Sequence, residues 1–548
     1  MKKSKGQLSI LAISIMISIL TFGCDPKEEI LIAPTISGFS VPDKVVGDAP
    51  FALTPPTSNS AGEFTYASSN TAVATMAGNM VTVISAGTTV IKASQTASGN
   101  FLQGEISATL VVTDVSTGPP TGLRYLYVST TGNDANDGSI DNPFLTINKA
   151  AEVAIAGDVV VVKSGTYMPT SKITPANSGT STNPIVYFSE VKNEAIIDGS
   201  NSTNGTSSDR RGLFDINGKS WIVVDGLKVI NSKFWGIFAS GSSNITTKNC
   251  KTYNTGASGI CMATSSNISV LYNNVEKACI LDVAGVGVGE CISLPSVVGF
   301  EIAYNTVSNR MISVKSNGGE GIDVKNACSN GSIHHNTVYD LERVGIYVDA
   351  YQKNISNIDV YANKVHNTGG GITIASEEGG IASNIKVHDN LVYDIGAVGI
   401  RLAGYLNNGP VQNVDIYQNT IYHCGFTGSY ENCGLLVEAS NAANFGFNIR
   451  NNVISGCPLQ IKSNSSQNFA VTVDNNLFFG SIGSFSAQTT ITNTINLDPL
   501  FVNAAGLDFR LKVGSHAINK AAGSPISTKD FTDFTRDSKP DLGAFEYH

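Results

Sequence analysis

The sequence is poor in charged residues, which make up only 14% of its 548 positions and give a formal net charge of −9. It has no basic stripe that could replace the counterions of a nucleic acid, so no nucleic-acid partner is expected. None of the nine cysteines belongs to a Cys-x-x-Cys pair, which argues against a zinc site. Glycine is abundant, with 54 residues, and so are asparagine and serine. This composition favours β-strands joined by turns over helices.

One apolar run stands apart from this background, and it lies at the N-terminus. Three lysines precede the run over residues 8–22, which is short for a membrane span, so residues 1–24 are interpreted as a secretory signal. The ending over residues 20–24 resembles a bacterial lipoprotein box, and the acidic stretch after it resembles the export tag of Bacteroidetes surface lipoproteins. The resemblance implies lipidation of Cys24 and an anchored protein at the outer membrane or cell surface. An ordinary signal peptide is the alternative.

Residues 32–114 have short alternating strands with turn residues at regular spacing, which predicts a small β-sandwich. Three stretches resemble the bacterial Ig-like group 2 domain, at residues 66–74, 78–83 and 86–91. That resemblance implies a spacer or adhesion module without catalysis. Residues 115–122 have the composition of a linker, and they lead into the last predicted domain, residues 123–548.

Two motifs repeat through this last domain. An Asn-x-Val or Asn-x-Ile motif recurs every 27–32 residues, at Asn273, Asn305, Asn336, Asn363, Asn390, Asn419 and Asn451. A Gly-Ile motif, with Leu once in place of Ile, falls elsewhere in the repeat, at Gly236, Gly259, Gly321, Gly345, Gly371, Gly399 and Gly434. Asparagine suits a turn because it tolerates the left-handed conformation and can hydrogen-bond an identical residue one coil away. The repeat therefore predicts stacked coils of short strands, a right-handed parallel β-helix.

Other repeat folds fit less well, because a propeller needs about 40–45 residues per blade and leucine-rich repeats need a consensus that is absent here. The segment over residues 127–167 includes a helical stretch over residues 146–156 and resembles the N-terminal cap of secreted β-helix enzymes. The tail over residues 498–547 resembles their closing segment. Such caps hide the open ends of a solenoid. The expected fold class is all-β, a parallel β-helix preceded by a small Ig-like β-sandwich.

Aligning the coils on the Gly-Ile motif brings charged residues to one edge of the helix, although outward positions elsewhere are mostly Ser, Thr and Asn. They are Glu290, Glu320, Asp323, Lys325, Asp349, Glu377, Glu378, Arg401 and Glu438. A solvated face without function would also carry charge. The concentration in so weakly charged a chain nevertheless predicts a functional site there.

Two classes of reaction use such a cluster, and the first is glycoside hydrolysis by paired carboxylates. Asp349 and Glu377 lie on neighbouring coils, whose spacing of about 4.8 Å is close to the ~5–5.5 Å that retaining hydrolysis requires. Glu320 or Asp323 nearby would raise the pKa of the acid through their like charge. This arrangement predicts a retaining glycoside hydrolase.

The second class is β-elimination by a polysaccharide lyase. Lys325 or Lys315 would then be the base, and Glu320, Asp323 and Asp349 would bind a Ca²⁺ ion that neutralises the uronate carboxylate. A hydrolase requires no cofactor, so calcium belongs to this alternative alone. A third hypothesis is a protein without catalysis that binds glycans or acts as an adhesin.

Three stretches on successive coils, residues 319–325, 344–350 and 374–377, resemble the core of glycoside hydrolase family 120, which are β-helix β-xylosidases. The resemblance implies Asp349 as nucleophile and Glu377 as general acid/base, with Glu378 as the alternative acid. It implies substrate contact by Glu320. The inserted sandwich domain of that family has no counterpart here, so the substrate remains open.

Most of the remaining members of the charged edge are expected to contact a polysaccharide or oligosaccharide substrate. With one aromatic residue, this predicted substrate-binding set comprises Glu320, Asp323, Lys325, Tyr347, Glu378, Arg401 and Glu438. Aromatic platforms for sugar rings are sought among Tyr347, Tyr351 and Tyr405.

Overall fold

The computed structural model describes residues 31–45, 49–85, 87–113, 123–203, 211–281, 289–309, 318–404, 407–427, 431–438, 440–463 and 469–547. The predicted signal segment with Cys24 lies outside these ranges, as do Lys315 and Tyr405. The chain divides into two compact units, Met1–Val115 and Ser116–His548.

The first unit has short strands in three small sheets. A two-stranded sheet pairs Ile36–Ser37 with Thr57–Ser58. The four-stranded sheet has the order Lys44–Val45, Gly104–Thr113, Gly87–Gln95 and Phe64–Ser68. The three-stranded sheet has the order Phe51–Ala52, Met80–Val83 and Ala74–Ala77. Alternate residues of the longer strands are buried, and Val81, Ile91 and Leu110 are among those that form one core. Small sheets of this kind agree with a sandwich, and the Ig-like assignment stays a prediction.

The second unit is the predicted parallel β-helix. Sheet 1 has fourteen described strands: Tyr125–Val128, Val159–Val162, Ile185–Ser189, Ser220–Asp225, Ser243–Lys248, Ser266–Leu271, Val298–Ala303, Ser329–His334, Ile355–Tyr361, Ala382–His388, Val411–Tyr417, Phe445–Arg450, Val471–Asp474 and Thr489–Thr492. Each strand pairs in parallel with the strand one coil further on.

Sheet 2 contains the two strands that complete each coil. Its twenty described strands are Gly165–Tyr167, Ala195–Asp198, Gly212–Asp215, Lys228–Ile230, Trp235–Ser240, Lys251–Tyr253, Ile260–Ala263, Asn274–Glu276, Ile292–Pro295, Thr306–Ser308, Ile322–Lys325, Thr337–Asp349, Lys364–Ala375, Leu391–Ile395, Ile400–Leu402, Thr420–Cys424, Cys433–Val437, Val453–Ser455, Leu459–Ser463 and Leu477–Phe479. The two strands of a coil are continuous in Thr337–Asp349 and Lys364–Ala375.

Stacked branched side chains fill the interior of the helix. Ile322, Ile346 and Ile372 occupy the same position in successive coils, and all three are fully buried. The residue before this isoleucine must be small, because the next coil passes close to it. A Cβ atom on Gly371 would lie 2.0 Å from the Gly399 carbonyl oxygen. The Gly-Ile motif therefore marks a point of close backbone contact between coils.

A ladder of buried asparagines forms one corner, with members Asn273, Asn305, Asn336, Asn363, Asn390, Asn419, Asn452 and Asn476. Between each pair of successive members, the backbone N–H and the side-chain amide of one asparagine both donate to the Oδ1 atom of the next at 2.9–3.1 Å. The prediction is wrong at Asn451, because its neighbour Asn452 occupies the ladder position. The left-handed residue is also not the ladder asparagine but the residue before it, such as His335 or Asn451.

A short helix, Ile147–Val153, packs against the first coils. Thr146 caps it by accepting a hydrogen bond from the Lys149 backbone N–H, and the helix is shorter than the expected 146–156. Ile147 and Ala150 are buried in the same core as the strands, so the helix covers apolar side chains near the start of the solenoid. Single 3₁₀ turns occur at Gly199–Asn201, Glu377–Gly379 and Ala504–Gly506.

The C-terminal tail includes one described hairpin, Phe501–Asn503 with Asp508–Leu511, and then returns along the side of the solenoid. Arg536 is buried and pairs with Asp389 at 2.6 Å and with Glu546 at 2.9 Å. Phe545 packs in a second core with residues of several coils. The tail therefore covers the corner of the asparagine ladder across many coils, whereas the sequence led us to expect a closure of the last coil.

Within the described residues, no helix is both long and apolar enough to span a bilayer. All eight cysteines after Cys24 are buried. Six of them belong to the main core of the solenoid, where cysteine serves as a small apolar residue.

Candidate active site

A cleft of about 810 Å³ runs along the outer face of sheet 2, over the strands that follow the Gly-Ile motif. Two outward columns of side chains form its floor. Asp323 and Tyr347 are register partners in one column, and Lys325 and Asp349 are register partners in the other. Because outward residues alternate with interior ones along a strand, parallel register brings residues distant in sequence onto one surface.

Asp349 ends its strand in this floor, and its carboxyl group is buried. Burial, and after it the charge of Glu377, raise the pKa of Asp349 to about 7, while the charge of Lys325 opposes the shift. Its Oδ1 atom is buried without a hydrogen-bond partner among the described residues. Asp349 therefore gains or loses its proton near neutral pH, and one of its oxygens has no described hydrogen-bond partner.

Glu377 stands at the start of the 3₁₀ turn Glu377–Gly379, one coil beyond Asp349. The Tyr347 hydroxyl donates a short hydrogen bond to its Oε1 atom. Tyr347 is itself largely buried, so the hydroxyl is held in place and fixes the carboxylate. The structure thus brings Asp349, Glu377 and Tyr347 into one cluster.

Lys325 lies beside this cluster, and two carboxylates already surround it. Its ammonium group contacts Glu290 Oε1 and lies 3.3 Å from Asp323 Oδ2. Burial lowers the pKa of Lys325, but the charges of Glu290 and Asp323 outweigh burial and raise it. Ser293 Oγ donates a 2.5 Å hydrogen bond to the other oxygen of Glu290. Lys325 is therefore a firmly protonated cation that neutralises buried acids.

Half-buried Glu320 and buried Asp323 are further acids of the floor. Burial raises the pKa of both groups, and the charge of Glu290 adds to the shift in each. Among the described residues, no group of three or more Asp, Glu, His or Cys side chains is arranged to hold a metal ion. The calcium site at Glu320, Asp323 and Asp349 stays a prediction of the lyase alternative.

Arg401 borders the cleft on the side beyond Glu377. Its guanidinium donates to both Glu431 oxygens at 2.9 and 3.1 Å and also to Glu438 Oε2, through Nε at 2.9 Å. Glu438 is held by Arg401 and is not part of the cleft lining, whereas Glu431 lines the cleft. Glu378 is exposed, has a φ of 53°, and is likewise not part of the lining.

Sequence reasoning missed Glu431 and Trp235, both of which line the cleft. Trp235 stands two residues before the interior Ile237, the position that Glu290 and Glu320 occupy in their own coils. The position two residues before the interior isoleucine of each coil is therefore the sequence signal that would have identified Trp235. Glu431 lies in a turn outside any repeat motif, so the sequence offered no such signal.

Comparisons with known proteins agree with this architecture. Residues 126–279 match a family described as a Pel9A-like, right-handed β-helix region, and residues 285–405 match a second family described as a right-handed β-helix region. The second unit is a right-handed parallel β-helix. The matched ranges include the floor of the cleft as far as Arg401.

Two curated proteins are similar in sequence. The chain is 29% identical over 342 residues to the uncharacterized protein YwoF of Bacillus subtilis, covering 56% of this chain and 70% of that protein. It is 35% identical over 160 residues to pectate lyase PEL9 of Emericella nidulans, covering 27% of this chain and 38% of the lyase. Among solved structures, the A-module of the mannuronan C-5 epimerase AlgE4 of Azotobacter vinelandii superposes with a TM-score of 0.46 at 12% identity, over 61% of this chain and 91% of the module.

Proposed function

We propose that the protein is a carbohydrate-active enzyme, and that it is a retaining glycoside hydrolase with Asp349 and Glu377 as its two carboxyl groups. The observation that carries the proposal is the environment of Asp349. Its carboxyl is buried in the floor of a cleft, has a pKa of about 7 next to a second carboxylate, and has one oxygen without a described hydrogen-bond partner. Two carboxyl groups in different environments are the requirement of glycoside hydrolysis.

The environments favour a division of roles opposite to that implied by the family 120 resemblance. Protonated Asp349 donates its proton to the glycosidic oxygen as the bond to the leaving sugar breaks. Glu377, held by the Tyr347 hydroxyl, attacks the anomeric carbon and forms a glycosyl ester. Asp349 then takes a proton from water, which attacks the same carbon and releases Glu377. The acid is thereby restored.

The test is activity on a panel of polysaccharides, with reducing ends and ultraviolet absorbance read together. We expect Asp349→Asn and Glu377→Gln each to lose at least about a hundredfold in rate, as removal of an acid or base catalyst does. Glu378→Gln is the matched control, because Glu378 is an adjacent but exposed acid outside the cleft. Full activity in Asp349→Asn would contradict the proposal. An inverted anomeric product by NMR would contradict the retaining mechanism.

The lyase remains the second candidate, since the Pel9A-like family match and the similarity to a pectate lyase favour it. The state of Lys325 weighs against it, because a general base must lose its proton and this ammonium group is stabilised by Glu290 and Asp323. Absorbance from an unsaturated uronate, lost on addition of a chelator, would establish the lyase instead.

The lipid anchor and the cell-surface location also remain proposals, resting on the resemblance of residues 20–24 to a lipoprotein box. Metabolic labelling with a fatty acid should modify the wild-type protein and not a Cys24→Ala variant.

A further inference from the structure

The charged groups of the cleft indicate which glycans it accepts. A polyuronate needs cations that pair with its carboxylates. The described lining has three cations, Lys325, Arg343 and Arg401. Lys325 is held by Glu290 and Asp323, and Arg401 is held by two glutamates.

The third cation, Arg343, also has an acid near it, because its charge lowers the pKa of Glu320 and so stabilises the ionised carboxylate. The same lining contains seven acidic side chains against these three cations, and six acids remain when protonated Asp349 is left out. A row of uronate carboxylates would therefore meet more negative charge than positive charge in the cleft and would lose its hydration there. The described floor suits a substrate without negative charge.

An aromatic surface lies toward the N-terminal end of the same cleft. The indole of Trp235 lines the cleft, and the ring of Phe238 stacks against it at 4.1 Å between centroids, with 13° between the ring planes. Phe238 is buried and does not line the cleft. The centroid of the Phe234 ring lies 4.8 Å from that of the indole, with 72° between the ring planes. The indole is thus fixed from behind, as a stacking platform for a sugar ring requires.

The platform stands at a distance from the catalytic pair. Its coil and the coil of Asp349 are four register steps apart, which at about 4.8 Å per step is roughly 19 Å. One sugar ring does not span that separation, so a ligand that touches both points is an extended chain.

From these two observations we infer that the cleft binds an extended, uncharged glycan, with Trp235 as a distal subsite that stacks on a sugar ring away from the cleavage point. The inference rests on the proposed function for the position of the cleavage point. Binding at Trp235 is measurable without hydrolysis, so the two proposals fail separately.

The experiment uses the tryptophan emission of the full-length protein. The sequence has two tryptophans, Trp221 and Trp235, and Trp221 lies on sheet 1. Trp221→Phe leaves Trp235 as the reporter, and Trp235→Phe is the matched control. Both are combined with Asp349→Asn so that the ligand persists. The probes are neutral xylan, mannan and glucan oligosaccharides of increasing length and oligogalacturonates of the same lengths.

We expect long neutral oligosaccharides of at least one series to change the emission of the Trp221→Phe protein, and neither short ones nor oligogalacturonates to do so. In the otherwise wild-type enzyme, Trp235→Ala should raise KM about tenfold for long substrates, corresponding to about 1.4 kcal/mol, and leave short substrates unaffected. Binding of oligogalacturonates, binding without a change at Trp235, or no binding of any probe would overturn the inference. Binding at Trp235 without release of reducing ends would overturn only the hydrolase.

Discussion

At the scale of single residues, Asp349 differs from the other acids of the cleft floor in how its neighbours are arranged. Glu290 and Asp323 share Lys325, whereas Asp349 faces Glu377 and keeps one oxygen without a described partner. Burial and like charge both favour the neutral form of a carboxyl group. Asp349 is therefore the acid whose protonation changes near physiological pH.

This leads to a prediction for the pH dependence of activity. The raised pKa means that Asp349 keeps its proton below about pH 7 and loses it above. As the acid catalyst it is active in the protonated form, so kcat/KM should decline above about pH 7, tenfold per pH unit. The measurement is a profile of kcat/KM between pH 5 and about 9. The control variant Glu378→Gln should show the same decline above about pH 7. A rate that continues to rise above pH 8 would assign the acid role to another group.

The sequence identified most residues of this floor but not their pairings. Alternation and coil alignment were enough to bring Asp323, Lys325 and Asp349 to one surface. Pairing depends on side-chain direction and on turns outside the repeat, so Glu431 beside Arg401 was missed and Glu438 was taken for a substrate contact.

At the scale of the element, the asparagine ladder fixes the register of successive coils. Asn363 accepts from the backbone N–H and the amide of Asn336, and it donates to the Ile333 carbonyl and to Asn390. All these groups are buried, so their hydrogen bonds have no replacement from water.

Asn363→Ala should therefore lower the free energy of unfolding by about 3 kcal/mol, because it leaves buried donors and acceptors without partners. Asn357→Gly is the matched control. Asn357 belongs to an exposed row with Asn330 and Asn384 and has a φ of 57°, which glycine adopts readily. Urea denaturation of the two variants gives the comparison. Equal losses in both would show that burial of the ladder contributes nothing.

The period of the ladder was predictable because a buried side-chain hydrogen bond in every coil leaves an asparagine in every repeat. Its seventh member was misplaced because Asn451 and Asn452 are adjacent and both precede branched residues. Only the strand pairing of Thr420 with Val453 selects Asn452.

At the scale of the whole molecule, the C-terminal tail connects coils that are far apart in sequence. Arg536 reaches Asp389 across 147 residues, and its side chain is 1% exposed. Hydrogen bonds to Asp359 and Asp389 outweigh burial and raise the pKa of His388 to about 9, so a second cation shares this buried acid. The sequence predicted a tail but not its course, because contacts of this separation leave no periodic signal.

Arg536→Met should lower the free energy of unfolding by about 3–5 kcal/mol, since it leaves Asp389 and Glu546 buried without their shared cation. Lys149→Met removes an exposed i,i+3 pair with Glu152 and should cost less than about 1 kcal/mol. Urea denaturation measures both, and limited proteolysis should cleave the tail first in Arg536→Met. A tail equally resistant in both variants would show that Arg536 does not anchor it.

Thr337–Asp349 and Lys364–Ala375, the two strands of sheet 2 that run on without a break, belong to neighbouring coils. In each of these coils, 27 residues separate one ladder asparagine from the next. Longer steps of 31–33 residues occur on both sides. Shorter coils of 23 and 24 residues occur further toward both ends, so coil length varies along the solenoid, and longer coils flank those of Asp349 and Glu377. Insertions in the flanking coils could reshape the walls of the cleft while the ladder keeps Asp349 and Glu377 in register. The ladder thus fixes the floor of the cleft, while coil length on either side of it varies.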